Sequence, residues 1–224
     1  MFYLSIQEGM VDTYSIIVSF FQEGGFFMYP IMVVLACGVA IAIERYMYLM
    51  RAKKTNINLW QELQPMLSAS RYRDAFALAS ESKAGIGKML SNGLIRAHNN
   101  SKLTEIETAM EEGLMETVPR LEKRTHYLST FANVATLLGL LGTIIGLIQA
   151  FTAVSQADPA EKADLLSSSI SVAMNTTAFG LMVAIPLLLV FTVIQTKTNE
   201  IVDGLEMIAV KFLNIVSAQK KIDD

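Results

Sequence analysis

Charged side chains are missing from three long stretches of the chain: Gly24–Ile43, Thr125–Ala157 and Leu165–Thr196. A helix needs about 20 apolar residues to cross about 30 Å of hydrocarbon at about 1.5 Å per residue. The first run just reaches that length. The other two exceed it, so their helices are expected to tilt or to continue out of the bilayer. Ahead of the first run, Ser5-Ile6-Gln7-Glu8 reads as a capping box, and Met10, Tyr14, Ile17, Val18 and Phe21 follow at helical spacing. That pattern predicts a short amphipathic helix on the outer interface, the alternative being a disordered leader. The chain start lacks the positive n-region and small-residue cleavage site of a secretory signal.

Between the first two runs the pattern is that of helices in water. Asn58 can cap Leu59–Leu67 and Ser70 can cap Arg71–Ser80, with Gly85-Ile86-Gly87 and Asn99-Asn100-Ser101 as punctuation. From Lys102 a stripe of Ile106, Met110, Leu114, Val118, Leu121, Thr125 and Leu128 leads into the second run. This predicts one helix from Lys102 to about Val154, bent at Pro119. Asp158-Pro159-Ala160-Glu161 then offers an N-cap acid, a first-position proline and a first-turn acid for the third helix. The spacing of Ile201, Leu205, Ile208, Phe212 and Ile215 carries that helix to about Val216. The expected fold is an all-α integral membrane protein with three transmembrane helices, the second and third long and extending into the cytoplasm.

Composition agrees. Hydrophobic residues make up 52% of the 224 and charged ones 17%, with mean hydropathy +0.41; a soluble domain has about 25% charged residues. The net charge of −3 adds little, but the placement of cations sets the orientation. No Lys or Arg precedes Arg45, thirteen fall in Arg45–Arg124, Lys162 stands alone, and four follow Thr196. Cytoplasmic loops hold the excess of Lys and Arg, so the N-terminus is expected outside and the C-terminus inside. Arg45-Tyr46-Met47-Tyr48 fits an anchor in an aromatic belt. The organisation follows: a periplasmic amphipathic helix over 1–23, a first transmembrane helix over 24–50, a cytoplasmic helical section over 51–127, a second transmembrane helix over 128–155, a periplasmic turn over 156–163, a third transmembrane helix over 164–196 and a cytoplasmic helical tail over 197–224.

Helices in lipid pack where small residues let backbones approach. The second run carries Ala135, Gly139, Gly142 and Gly146; the third carries Ser169, Ala173, Thr177, Gly180 and Ala184 at steps of three and four. Such faces serve packing, and threonines in membrane helices commonly bond their own preceding carbonyls. The sharper reading is that Thr143, Thr176 and Thr177 line a partly wet ion path. A proton relay in a bilayer normally needs an ionisable group. The spans supply none at depth: Glu23 and Glu44 sit at the ends of the first, His126 at the inner boundary, and His98 is cytoplasmic. A carboxylate must then come from another chain.

"LLGLLGTIIGLIQAF" (137–151), followed by "SISVAMNTTAFGLMVAIP" (169–186), resembles the ExbB/TolQ/MotA family of bacterial inner-membrane ion-channel proteins, on its ExbB/TolQ branch. The paired G-x-x-G-T-x-x-G and T-A-x-G-L-x-x-A-I-P motifs carry the resemblance. It implies a homopentamer of long helices around two copies of an ExbD/TolR/MotB-like single-span partner that bears a membrane Asp. It implies that Thr143 and Thr177 face that Asp, and that ion flow rotates the pentamer about the partner to do work in the periplasm or at the outer membrane. One position departs from the resemblance: Val172 stands where relatives often carry Glu. The Thr143, Thr176 and Thr177 set is closer to sodium-driven stators, so sodium, transiently held near Thr143 and Thr177, stands beside the proton. The competing function is a passive structural scaffold for single-span proteins.

Other classes find no support. There is no nucleophile–base pair, metal-spaced His/Cys set or phosphate loop, and Gly85-Ile86-Gly87-Lys88 is too short for one. No enzyme activity, cofactor or resident metal is expected. Cytoplasmic cations alternate with Glu105, Glu107, Glu111 and Glu112, which excludes a nucleic-acid surface. Three spans without an inverted repeat argue against a secondary transporter. The single Cys37 lies in the first span and is expected to be inert.

Overall fold

The computed structural model describes residues 24–99 and 101–223, with side chains to 220. The amphipathic helix expected over 1–23 lies outside the described residues. The described residues form six helices in order: α1 (Met28–Ser68), α2 (Tyr72–Glu81), α3 (Gly85–His98), α4 (Leu103–Glu122), α5 (Thr125–Gln156) and α6 (Lys162–Asp223). No strand occurs among the described residues. The stretches Met28–Ser68, Leu103–Gln156 and Lys162–Lys220 are long and apolar enough to cross a membrane by length and composition. The protein is all-α, with the second and third of these stretches the longest.

Local signals and tertiary contacts disagree at four boundaries. Asn58 does not start a helix, because α1 runs unbroken for 41 residues. Leu59, Leu63 and Leu67 are buried at four-residue steps, and Pro65 falls only in the last turn, so nothing interrupts the ladder earlier. Ser70 adopts φ 58°, and α2 starts at Tyr72 with no side-chain cap from Arg71. Asp158–Glu161 closes as a turn, with the Glu161 N–H donating to the Asp158 carbonyl at 3.0 Å, so α6 starts at Lys162 and runs on to Asp223.

The fourth difference is the largest. The helix expected from Lys102 to Val154 is two helices, and Pro119 lies inside the first of them. The break falls at Lys123–Arg124, where Arg124 takes the left-handed φ of 64°. A broken helix end leaves carbonyls without partners. The buried Arg45 guanidinium donates to the Leu121 carbonyl, and Arg124 pairs with Glu44 at 3.0 Å. Two adjacent residues of α1 therefore hold the break from either side.

Two compact units divide the chain: the described part of 1–41 with 127–191, and 42–126 with 192–224. The second unit has a core like that of a water-soluble bundle. Leu63, Leu67, Ile86, Met89, Leu90, Ile106 and Phe212 are fully buried. Glycines let its helices close up: a Cβ on Gly113 would sit 2.7 Å from the Met89 Cα. The Asn56 side chain accepts the first-turn N–H of Ile86 at 3.3 Å, which satisfies one orphan donor of α3. Gln219 donates to the Leu67 carbonyl at 2.7 Å, beside the Ser70 N–H at 3.1 Å, and ties α6 to the end of α1.

Candidate functional site

In the first unit, α5 and α6 run antiparallel along their small-residue faces. A Cβ built on Gly180 would lie 2.7 Å from the Ala135 carbonyl oxygen and 3.1 Å from the Gly139 Cα. One on Gly139 would lie 3.2 Å from the Thr177 Cα. Gly142 faces Thr176, its Cβ position 2.4 Å from the Thr176 methyl, and Gly146 faces Ala173 at 3.0 Å. The pairs 135 with 180, 139 with 177, 142 with 176 and 146 with 173 define one register. Ala173 and Ala184 are buried. Gly139, Gly142, Gly146, Ala173, Gly180 and Ala184 all lie in α5 or α6, and the backbone approach along the pair is the kind that Gly and Ala permit between membrane helices.

The three threonines do different things. Thr143 is half-buried and donates to the Leu140 carbonyl in its own turn at 2.6 Å. Thr177, also half-buried, donates across the helix pair to the Gly139 carbonyl at 2.9 Å. Thr176 is buried at 2% exposure and reaches two carbonyls, Gly24 at 2.7 Å and Val172 at 2.9 Å. A hydroxyl has one proton to give and two lone pairs to accept with. With their protons engaged on carbonyls, Thr143 and Thr177 keep lone pairs at half-buried oxygens, which suits a cation.

Sequence reasoning missed the role of Gly24 and Gly25. Gly25 adopts φ 73°, a conformation open to glycine at no steric cost, and a Cβ there would meet Val172 at 3.1 Å. Its neighbour Gly24 presents the carbonyl that Thr176 takes, and the Phe27 Cβ lies 3.2 Å from the Cβ position of Gly142. The chain just ahead of α1 is thus seated against the α5–α6 pair. A Gly-Gly pair at the edge of a charge-free run was the available signal. Val172 packs on that turn.

Long apolar helices that meet on a glycine and threonine seam are the architecture of a multi-pass membrane protein. Residues 81–207 match the family described as the MotA/TolQ/ExbB proton channel family, and the chain belongs to that family, on its ExbB/TolQ side. It is 26% identical over 203 residues to a biopolymer transport protein ExbB homolog of Methanothermobacter thermautotrophicus, covering 90% of this chain and 71% of the relative. It is 30% identical over 188 residues to the biopolymer transport protein ExbB-like 1 of Synechocystis, covering 82% and 72%. The Tol-Pal system protein TolQ of Haemophilus influenzae matches at 33% over 93 residues, covering 42% of this chain and 40% of TolQ. Family and apolar helices together make this a multi-pass inner-membrane protein.

Proposed function

We propose that the chain is the channel-forming subunit of an ion-driven motor in the inner membrane, coupling ion flow to work in the periplasm or at the outer membrane. Its N-terminus is periplasmic and its C-terminus cytoplasmic, as the cation placement favours. It assembles as a homopentamer around two copies of an ExbD/TolR-like single-span protein, whose membrane Asp supplies the acid that the spans of this chain lack. Thr143 and Thr177 line the path next to that Asp. Gly139, Gly142, Gly146, Ala173, Gly180 and Ala184 hold the two helices close enough for the lining to form, and Thr176 ties down the turn ahead of α1.

The observation that carries this reading is the Thr177 hydroxyl. It is not spent on its own helix but pinned across to Gly139, four residues before Thr143. Residues four apart share one helix face, so the bond places the two half-buried threonines on one seam. Thr177→Val keeps the shape and removes the oxygen. With the partner co-expressed, it should abolish most ion flux while the assembled mass stays unchanged. Flux at the unsubstituted level would instead favour the passive scaffold. Hydroxyl and carbonyl oxygens suit a hard cation such as sodium, whereas the partner's Asp suits a proton, and flux in sodium-free buffer separates the two: full activity there removes sodium.

A further inference from the structure

Among the described residues, the buried side-chain atoms that lack a hydrogen-bond partner are Arg45 Nε and Thr125 Oγ1. Both stand at the break between α4 and α5, where Arg45 is 2% exposed and Thr125 1%. An orphaned buried polar atom costs free energy, so the broken form carries two such costs at one place. A third is the left-handed φ of Arg124, a conformation unfavourable for a residue with a Cβ.

Thr125 shows what the break displaces. Threonines in helices bond the carbonyl four residues back, and Thr117, Thr136, Thr176 and Thr198 of this chain do so. Four residues back from Thr125 is Leu121, whose carbonyl accepts from the Arg45 guanidinium. In an unbroken helix that same oxygen would receive the Thr125 N–H and, on its second lone pair, the Thr125 hydroxyl. Lys123 and Arg124 do not oppose this, since both residue types are good helix formers. Val118, Leu121, Thr125 and Leu128 also keep helical steps of three and four across the gap. Local preference therefore favours a straight helix, and two contacts from α1 oppose it: Arg45 on Leu121 and Glu44 on Arg124.

We propose that the junction is a two-state joint whose forms compete for the Leu121 carbonyl. Arg45 latches the broken form. The Thr125 N–H and hydroxyl latch a straight form, in which Leu103–Gln156 is one helix. Each form leaves unmet what the other satisfies, the condition for two arrangements close in free energy. In the straight form Arg45 loses its acceptor, and its long stem lets the charged head turn to water. Both contacts of the broken form start from adjacent residues of α1, so a small shift of α1 past the end of α4 releases them together. Residues 44, 45 and 121–125 all lie in the second unit, and the joint does not depend on the ion path proposed above. It gives the second membrane stretch two settings at the point where its charged part meets its apolar run.

Spin labels on Met115→Cys and Asn133→Cys in a Cys37→Ser background test this, with labelled chains diluted in unlabelled ones so that only distances within a chain are read. Both positions are exposed. They are 18 residues apart, and a straight helix sets that separation at about 27 Å. With Arg45 in place a single maximum away from that value is expected. Arg45→Met keeps the buried stem and removes the donor, and a second maximum at about 27 Å should then appear as the joint passes between its forms. Glu44→Gln leaves the buried side chains intact and should raise the same maximum to a smaller extent, so the outcome is read even where Arg45→Met assembles poorly. Adding Thr125→Val, which removes the hydroxyl of the straight form, or Arg124→Gly, which eases the left-handed turn, should reduce that maximum several-fold. An unchanged distance in both Arg45→Met and Glu44→Gln, or a broad spread without a maximum near about 27 Å, would overturn the proposal, the second by showing that the helix end merely frays. So would a maximum that Thr125→Val leaves untouched, or a chain with Arg45 in place that already reads about 27 Å.

Discussion

Replacing Gly180 with alanine puts a methyl group 2.7 Å from the Ala135 carbonyl oxygen and 3.1 Å from the Gly139 Cα. Both neighbours are backbone, so neither can rotate away. Ordinary contact begins near 3.4 Å, and the helices must part by about 0.7 Å at that level. The Thr177–Gly139 hydrogen bond is 2.9 Å long and would stretch beyond the usual range of about 2.7–3.2 Å. Overpacking costs about 1–3 kcal/mol, and an interhelical side-chain bond in a membrane protein contributes about 0.6 kcal/mol. The better helix propensity of alanine offsets about 1 kcal/mol. The balance is a loss of roughly 1.5 kcal/mol. Gly204→Ala is the internal control: its methyl meets nothing within 4 Å, so propensity alone acts and the dissociated protomer gains about 1 kcal/mol. Thermal unfolding midpoints in mild detergent, at a concentration where copies are dissociated, should move in opposite directions for the two variants. A Gly180→Ala protein that melts at or above the unsubstituted midpoint would refute the close helix approach on which the site is built.

Arg45→Ala should destabilise by about 2 kcal/mol, since a charge-assisted hydrogen bond and a buried side chain are both lost. It should also speed amide hydrogen exchange around residues 121–125, and unchanged exchange there would show that Arg45 does not hold the broken helix end. Arg124→Gly should be nearly neutral in melting midpoint: the half-exposed pair with Glu44 is worth about 0–1 kcal/mol, and relief of the left-handed φ returns about as much. A loss above about 2 kcal/mol would mean the pair carries far more than exposed pairs do. Thr176→Val should cost about 1–2 kcal/mol by leaving the Gly24 carbonyl unpaired. Its ion flux should stay near normal, in contrast to Thr177→Val, and equal loss of flux in both would put Thr176 in the path itself.

The apolar runs were legible because lipid imposes a length and a composition, and 24–43, 125–157 and 165–196 satisfy both without help from tertiary contacts. The α5–α6 seam was legible for a similar reason: helix pairing in lipid selects small residues at steps of three and four. The break at Lys123–Arg124 was not, because its partners Glu44 and Arg45 lie 80 and 76 residues away from Arg124 and Leu121. No local breaker marks it, and Pro119, which does look like one, sits inside α4. The length of α1 was hidden too: polar residues after Met50 suggested an end, whereas Leu59, Leu63 and Leu67 carry the helix on against the second unit's core. Thr176 and Thr177 are adjacent and chemically identical, and only the fold separates them, sending one hydroxyl to Gly24 and the other to Gly139.

The Gly139 carbonyl has a double duty. Helix geometry makes it the acceptor for the Thr143 N–H, and it also receives the Thr177 hydroxyl. One oxygen therefore joins the backbone ladder of α5 to a side chain of α6. Hydrogen bonds that share an atom polarise each other, so a positive charge drawn to the Thr177 hydroxyl is felt in the turn of α5 that leads to Thr143. A small slip of α6 past α5 stretches that bond and leaves the Gly139 carbonyl to its ladder partner alone.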